Sequence, residues 1–143
     1  MRRELVGTVE MRKVGAASTP FMKQKYFELA KKLSVKSSHH THKIGCVVLN
    51  KNEIIGVGFN QIKTHPKSPH PFKTLHAEIS AILGIELKNL KGCTVYVYRE
   101  TKDGKPAMAK PCVVCEQALR SVGIKKVYFS IDNDKGWDYT EYC

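Results

Sequence analysis

No apolar run in this 143-residue chain approaches the roughly 20 residues that a bilayer-crossing helix needs. The opening "MRRELVGTVE" is basic and lacks the apolar stretch of a secretory signal. A second CxxC is missing, so Cys112 and Cys115 have no partner pair of the kind a four-cysteine zinc site uses. The five cysteines are an odd count without the spacing of a small disulfide scaffold, which agrees with a reducing compartment. Repeats and domain boundaries are absent, and the length is that of one ordinary domain. Acidic residues are scarce: 13 Asp and Glu stand against 24 Lys and Arg, a formal net charge of +11. These features predict a single soluble domain over 1–143, intracellular and cytoplasmic, with no membrane partner. An N-terminal arm (1–20) and a short C-terminal tail (132–143) flank its core. The basic excess attracts polyanions, so nucleotides and nucleic acids are the partners to consider. Because the lysines are scattered, a solubilising surface is the other reading.

Hydrophobic residues make up 42% of the chain, enough for a real core. "FMKQKYFELAKKL" places Met22, Tyr26, Leu29 and Leu33 at helical spacing, with lysines on the other face. "KIGCVVLN" and "EIIGVGFN" are β-rich runs joined by "KN", a hairpin pattern. The polar loop "QIKTHPKSPHPFK" is long for a connection, and long loops in compact domains are often functional. "TLHAEISAILG" reads as a helix stopped by Gly84. "CTVYVYR" reads as a strand, and "ETKDGKPAMAK" as a loop with a DG turn. "PCVVCEQALRSVG" reads as a helix with Pro111 in its first turn and Gly123 as its stop. "IKKVYFSI" reads as a strand, and the tail after it is too short for another full helix and strand. The order β-β-α-β-α-β calls for crossovers and parallel pairing, hence a three-layer α/β/α arrangement.

The cysteine pair carries the chemistry. Cys112 and Cys115 are three apart at a helix start, so both thiols project to one side. The positive end of the helix dipole there favours thiolates. A redox pair, a metal site and a buried apolar turn are all compatible with that spacing. A redox CxxC usually follows the first strand of its unit, and this one comes late. Cys46 and Cys93 sit in or beside strands and read as buried apolar cysteines. The "HAE" at His76-Ala77-Glu78 opens the other core helix, and the crossovers bring both helix starts to one sheet edge. His76, Cys112 and Cys115 then make three protein ligands, the catalytic form of zinc with one open position. Glu78 would act on water there rather than bind the metal.

"HAE" and "PCVVC" together resemble the zinc-dependent cytidine and deoxycytidylate deaminase superfamily, whose signature is H-x-E followed by P-C-x-x-C. The likeness spans roughly residues 20 to 131 in order and spacing. It implies a cytidine-deaminase-like fold: a mixed sheet of core strand order 2-1-3-4, counted along the chain, with a fifth strand left open by the short tail. It implies Zn²⁺ as cofactor and Glu78 as proton shuttle. It also implies substrate contacts at Asn60, Ala77, Lys110 and Pro111, with Asn60 on the sugar. His rather than Cys in "HAE" is similar to the deoxycytidylate and tRNA adenosine deaminase branch. Lys110 stands where cytosine deaminases often have Ser and tRNA adenosine deaminases have Glu.

The resemblance implies hydrolytic deamination of a cytosine base in a dCMP- or CMP-type nucleotide, giving uracil and ammonia. One alternative is a deaminase of single-stranded DNA or RNA, including tRNA adenosine. Arg2, Arg3, Lys63, Lys67 and Lys73 would then track the backbone. The other is an inactive, zinc-stabilised nucleic-acid-binding module, against which the intact Glu78 counts. Homo-oligomerisation is left open. Lys102, Lys105 and Lys110 could meet a phosphate. Phe72 could stack on a base or anchor a helix, and Trp137 and Tyr139 could cover the sheet or form a stacking surface. His39, His40, His65 and His70 read as surface loop residues and Cys143 as a free terminal thiol.

Overall fold

Alternation along the two central strands divides the interior between two cores. The structure is a computed structural model and describes residues 22–38, 42–62 and 75–142. Arg2, Arg3, the arm around them, His39, His40, Lys63, His65, Lys67, His70, Phe72, Lys73 and Cys143 lie outside the described residues. β1 (Ile44–Asn50) and β3 (Thr94–Glu100) pair antiparallel and are buried along most of their length. Cys46, Val48, Val95 and Val97 point to one face and pack with Ala77, Ala81, Leu119, Val127 and Phe129. Val47, Leu49, Tyr96 and Tyr98 point to the other and meet Tyr26, Phe27, Ala30 and Leu33. The unbroken apolar runs "CVVL" and "VYVY" are therefore strands covered on both faces.

The sheet runs β2-β1-β3-β5-β6, with β2 at Glu53–Phe59, β5 at Lys126–Ser130 and β6 at Trp137–Glu141. β3 and β5 are parallel; the other neighbours on this path are antiparallel. Along β2-β1-β3-β5 this is the expected 2-1-3-4 order. The tail differs from the sequence reading: it forms a full edge strand. An antiparallel return needs only a turn, not a crossover helix. That turn ends at Gly136, whose φ of +82° suits glycine and whose N–H donates to Asn133 Oδ1 at 2.7 Å. Trp137 and Tyr139 lie against Tyr128 on the second core, at ring separations of 5.8 and 6.1 Å. A two-residue strand, β4 (Pro106–Ala107), pairs with the end of β3 inside what reads in sequence as a plain loop.

Helix α1 (Gln24–Ser34) covers β1 and β3 on one face through Tyr26, Phe27, Ala30 and Leu33. On the opposite face lie α2 (Ala77–Ile82) and α4 (Val113–Ser121). A single turn, α3 (Leu87–Leu90), leads into β3. Both α2 and α4 are shorter than their apolar periodicity suggests. His76 and Cys112 are N-caps in extended conformation, and Pro111 precedes the helix rather than entering its first turn. Gly84 and Gly123 follow the two helices with φ of +85° and +89°, the left-handed stop expected of them. No described helix is long and apolar enough to cross a membrane.

Candidate metal centre and its carboxylate

β2 delivers the first half of the site. After Phe59 the chain leaves the sheet, and Gln61 pairs with Leu75 through two backbone hydrogen bonds of 2.8 Å. That bridge ties the residue before His76 to the end of β2. Gly56 and Gly58 let α2 lie close over β2, so the helix start is fixed against the strand. The second half comes from β5. Ala109 N–H donates to the Ser130 carbonyl at 2.9 Å, and Cys112 follows three residues later. The parallel β3–β5 pair and its α4 crossover thus bring "PCVVC" to the end where "HAE" begins.

The result is a three-donor cluster. His76 Nδ1 lies 3.8 Å from Cys112 Sγ and 3.4 Å from Cys115 Sγ, and the three ligand atoms all fall within 4.8 Å of one another. A tetrahedral zinc with bonds of about 2.1 Å to nitrogen and about 2.3 Å to sulfur requires N···S distances near 3.6 Å. The observed pair brackets that value. Cys115 is fully buried, Cys112 is exposed and His76 is half-buried, so the cluster has one open side. Cys112 Sγ also accepts the Cys115 N–H at 3.4 Å, as the helix start presents its amides to a thiolate.

Glu78 lies in the first turn of α2 and is buried at 4% exposure. Burial pushes its carboxyl up to about 7, against a smaller downward pull from its own backbone N–H. Burial first, then the neighbouring Glu78 and Cys112 charges, pushes the Cys115 thiol well above its usual range. Two cysteine sulfurs and an imidazole nitrogen so close together favour a cation between them. Donor set, spacing and charge all fit zinc.

The remaining sequence-derived residues are dispersed around this centre. Ala77 is fully buried in the core against β1, and Pro111 is buried beside Cys112. Lys110 is exposed two residues before Cys112; Lys102 and Lys105 are exposed in the turn before β4. The Asn60 amide clasps the start of β1: Oδ1 accepts from Ile44 N–H at 2.9 Å and Nδ2 donates to the His42 carbonyl. Cys46 and Cys93 are core residues, as their strand positions suggest. Sequence reasoning missed Arg99 at the end of β3, on the face of the metal cluster. Its signal was a charge continuing the alternation of Val95 and Val97.

Residues 21–131 match the family described as "Cytidine and deoxycytidylate deaminase zinc-binding region". The chain is 30% identical over 125 residues to a probable deoxycytidylate deaminase of Caenorhabditis elegans, covering 78% of this chain and 58% of that protein. It is 31% identical over 130 residues to a tRNA-specific adenosine deaminase subunit of Schizosaccharomyces pombe, covering 88% of this chain and 31% of that one. It therefore spans less than two thirds of either relative. The fold is similar to dCMP deaminase from the cyanophage S-TIM5, solved with dCMP and dUMP. That TM-score is 0.54 at 23% identity, over 78% of this chain and 85% of the other. With the match covering residues 21–131, the chain belongs to the zinc-binding cytidine and deoxycytidylate deaminase family.

Proposed function

We propose that this chain is a zinc-dependent hydrolytic deaminase that converts a cytosine nucleotide of the dCMP or CMP type to its uracil counterpart, releasing ammonia. The observation that carries the reading is the cluster of His76, Cys112 and Cys115, with one open side and a buried carboxyl two residues from its histidine. His76, Cys112 and Cys115 hold the zinc, which supplies Lewis-acid activation of water at neutral pH. Glu78 holds and moves the protons. It takes the proton that water loses and delivers it to ring N3 as the oxygen bonds to C4, then takes the remaining hydroxyl proton and passes it to the amine, which leaves as ammonia. Burial raises that carboxyl's pKa, which favours its proton-carrying form. Asn60 holds the start of β1 beside the site, and a sugar contact would use what remains of the amide's hydrogen-bonding capacity.

A cytosine nucleotide is favoured by the similarity to a probable deoxycytidylate deaminase over 78% of the chain. A second reading, deamination within RNA, has its own support. The tRNA-specific adenosine deaminase subunit aligns over 88% of the chain, and the net charge of +11 suits a polyanion. Product analysis across dCMP, CMP, cytidine, a cytosine-containing single strand and tRNA adenosine tests both. Turnover of dCMP or CMP well above the other substrates is expected. Turnover confined to a strand or to tRNA would replace the first reading by the second. No ammonia from any substrate of the panel would leave the binding-module alternative.

A further inference from the structure

Arg99 stands at the end of β3, directly opposite Ile44 of β1. Opposed residues on neighbouring strands share a face. Ile44 packs on the core that contains Ala77 of α2, Leu119 of α4 and the alternate β3 residues Val95 and Val97. Arg99 is therefore on the face of the metal cluster. It is also at the cluster's end of the sheet: Ile44 N–H binds Asn60, and the next residue, Gln61, pairs with Leu75 beside His76. The guanidinium is only lightly tethered. Nη1 donates to the Met108 carbonyl at 3.4 Å, on the segment that leads to Cys112. Its Nε–H is buried with no hydrogen-bond partner among the described residues.

The neighbouring acid does not neutralise it. Glu100 projects to the opposite face, where it accepts from Tyr98 Oη at 3.0 Å and pairs with Lys31 of α1 at 3.2 Å. A permanent cation with a spare planar fork is thus held at the site end of the sheet. Arginine in that state matches a phosphate, which takes two parallel N–H donors and balances the charge. We propose that Arg99 binds the phosphate adjoining the reactive nucleoside, so that it selects nucleotides over nucleosides. The inference rests on the deaminase reading above. The same phosphate chemistry is presented by a free mononucleotide or by a strand.

Binding of products tests this without turnover. The zinc-loaded wild type, R99M and R99K are titrated calorimetrically with dUMP, deoxyuridine and a trinucleotide carrying a central dU, with thermal melts beside them. Wild type is expected to bind dUMP at least about tenfold tighter than deoxyuridine, a difference of about 1.4 kcal/mol. R99M should lose that preference while binding deoxyuridine as wild type does. R99K, which keeps the charge without the fork, should retain part of it. Loss of the preference on the trinucleotide alone would make the phosphate that of a strand. No preference in wild type, or one that survives R99M, overturns the proposal. Equal loss of both ligands in R99M and R99K, with lowered melts, would mark a structural residue and also overturn it. A wild-type turnover assay reports separately on the deaminase reading, so the two failures are distinguishable.

Discussion

Adding one carbon at Gly58 should damage the metal centre without touching a ligand. A Cβ built there lies 2.5 Å from Ala81 N, 2.8 Å from the Ala77 carbonyl oxygen and 2.9 Å from Ala81 Cα. All three are backbone atoms of α2, so no side chain can swing aside. Comfortable contact begins near 3.5 Å, so helix and strand must separate by about 1 Å. β2 is held to β1 by its ladder, so α2 moves and takes His76 with it. Metal ligands tolerate displacements of only about 0.2 Å. Alanine also restricts the unfolded chain, which favours folding by about 0.4–1 kcal/mol. The overpacking cost of about 1–3 kcal/mol outweighs that gain. Gly58→Ala should therefore lose about 1–2 kcal/mol net, a fall in Tm of roughly 2–8 °C for a domain of this size. Zinc affinity should fall by about tenfold or more, the scale seen when a ligand's support is removed. Melts of zinc-loaded and stripped protein, with a chelator-competition titration, measure both. Val57→Ala is the control: Val57 is 46% exposed on the opposite pleat, and its loss should stay within about 0.5 kcal/mol. If Gly58→Ala matches wild type in melt and zinc affinity, the close approach of α2 to β2 does not position the site.

Glu78→Gln keeps the shape of a buried side chain and removes its proton-carrying capacity. Ammonia release should fall by about 10²- to 10⁴-fold, with about one zinc per chain still bound by metal analysis; lost zinc or retained turnover would refute the shuttle. Cys115→Ser removes a fully buried ligand. The variant should lose zinc and melt with the zinc-stripped wild type, since binding and folding are coupled. A melt unmoved by zinc in wild type would show that the cluster is not a metal site.

The grouping of His76, Cys112 and Cys115 was legible in the sequence because its chemistry is local. "HAE" and "PCVVC" each sit at a helix start, and the β-α-β order dictates that those starts meet. The core was legible because strands covered on both faces read as continuous apolar runs, as "CVVL" does. The tail was not. "WDYTE" has five residues and a half-exposed aromatic face, and only pairing with β5 makes it a strand. Helix ends were also overextended, because apolar spacing continues through Leu75 and Leu83 although the chain there is already non-helical. Arg99 escaped notice because a charge at the end of an apolar strand usually marks its exit to solvent. Only the register with Ile44 places it on the metal-site face.

In the proposed reaction, zinc at His76, Cys112 and Cys115 drives deamination of a cytosine nucleotide. The most direct measurement follows dCMP with the purified protein as isolated, after zinc removal by a chelator, and after zinc is restored. Ammonia and dUMP are quantified in equal amounts at each stage. Equimolar products, loss of turnover on stripping and recovery at about one zinc per chain are expected. Turnover that survives complete zinc removal, or no dUMP from zinc-replete protein, would rule out zinc-dependent deamination of dCMP at this site.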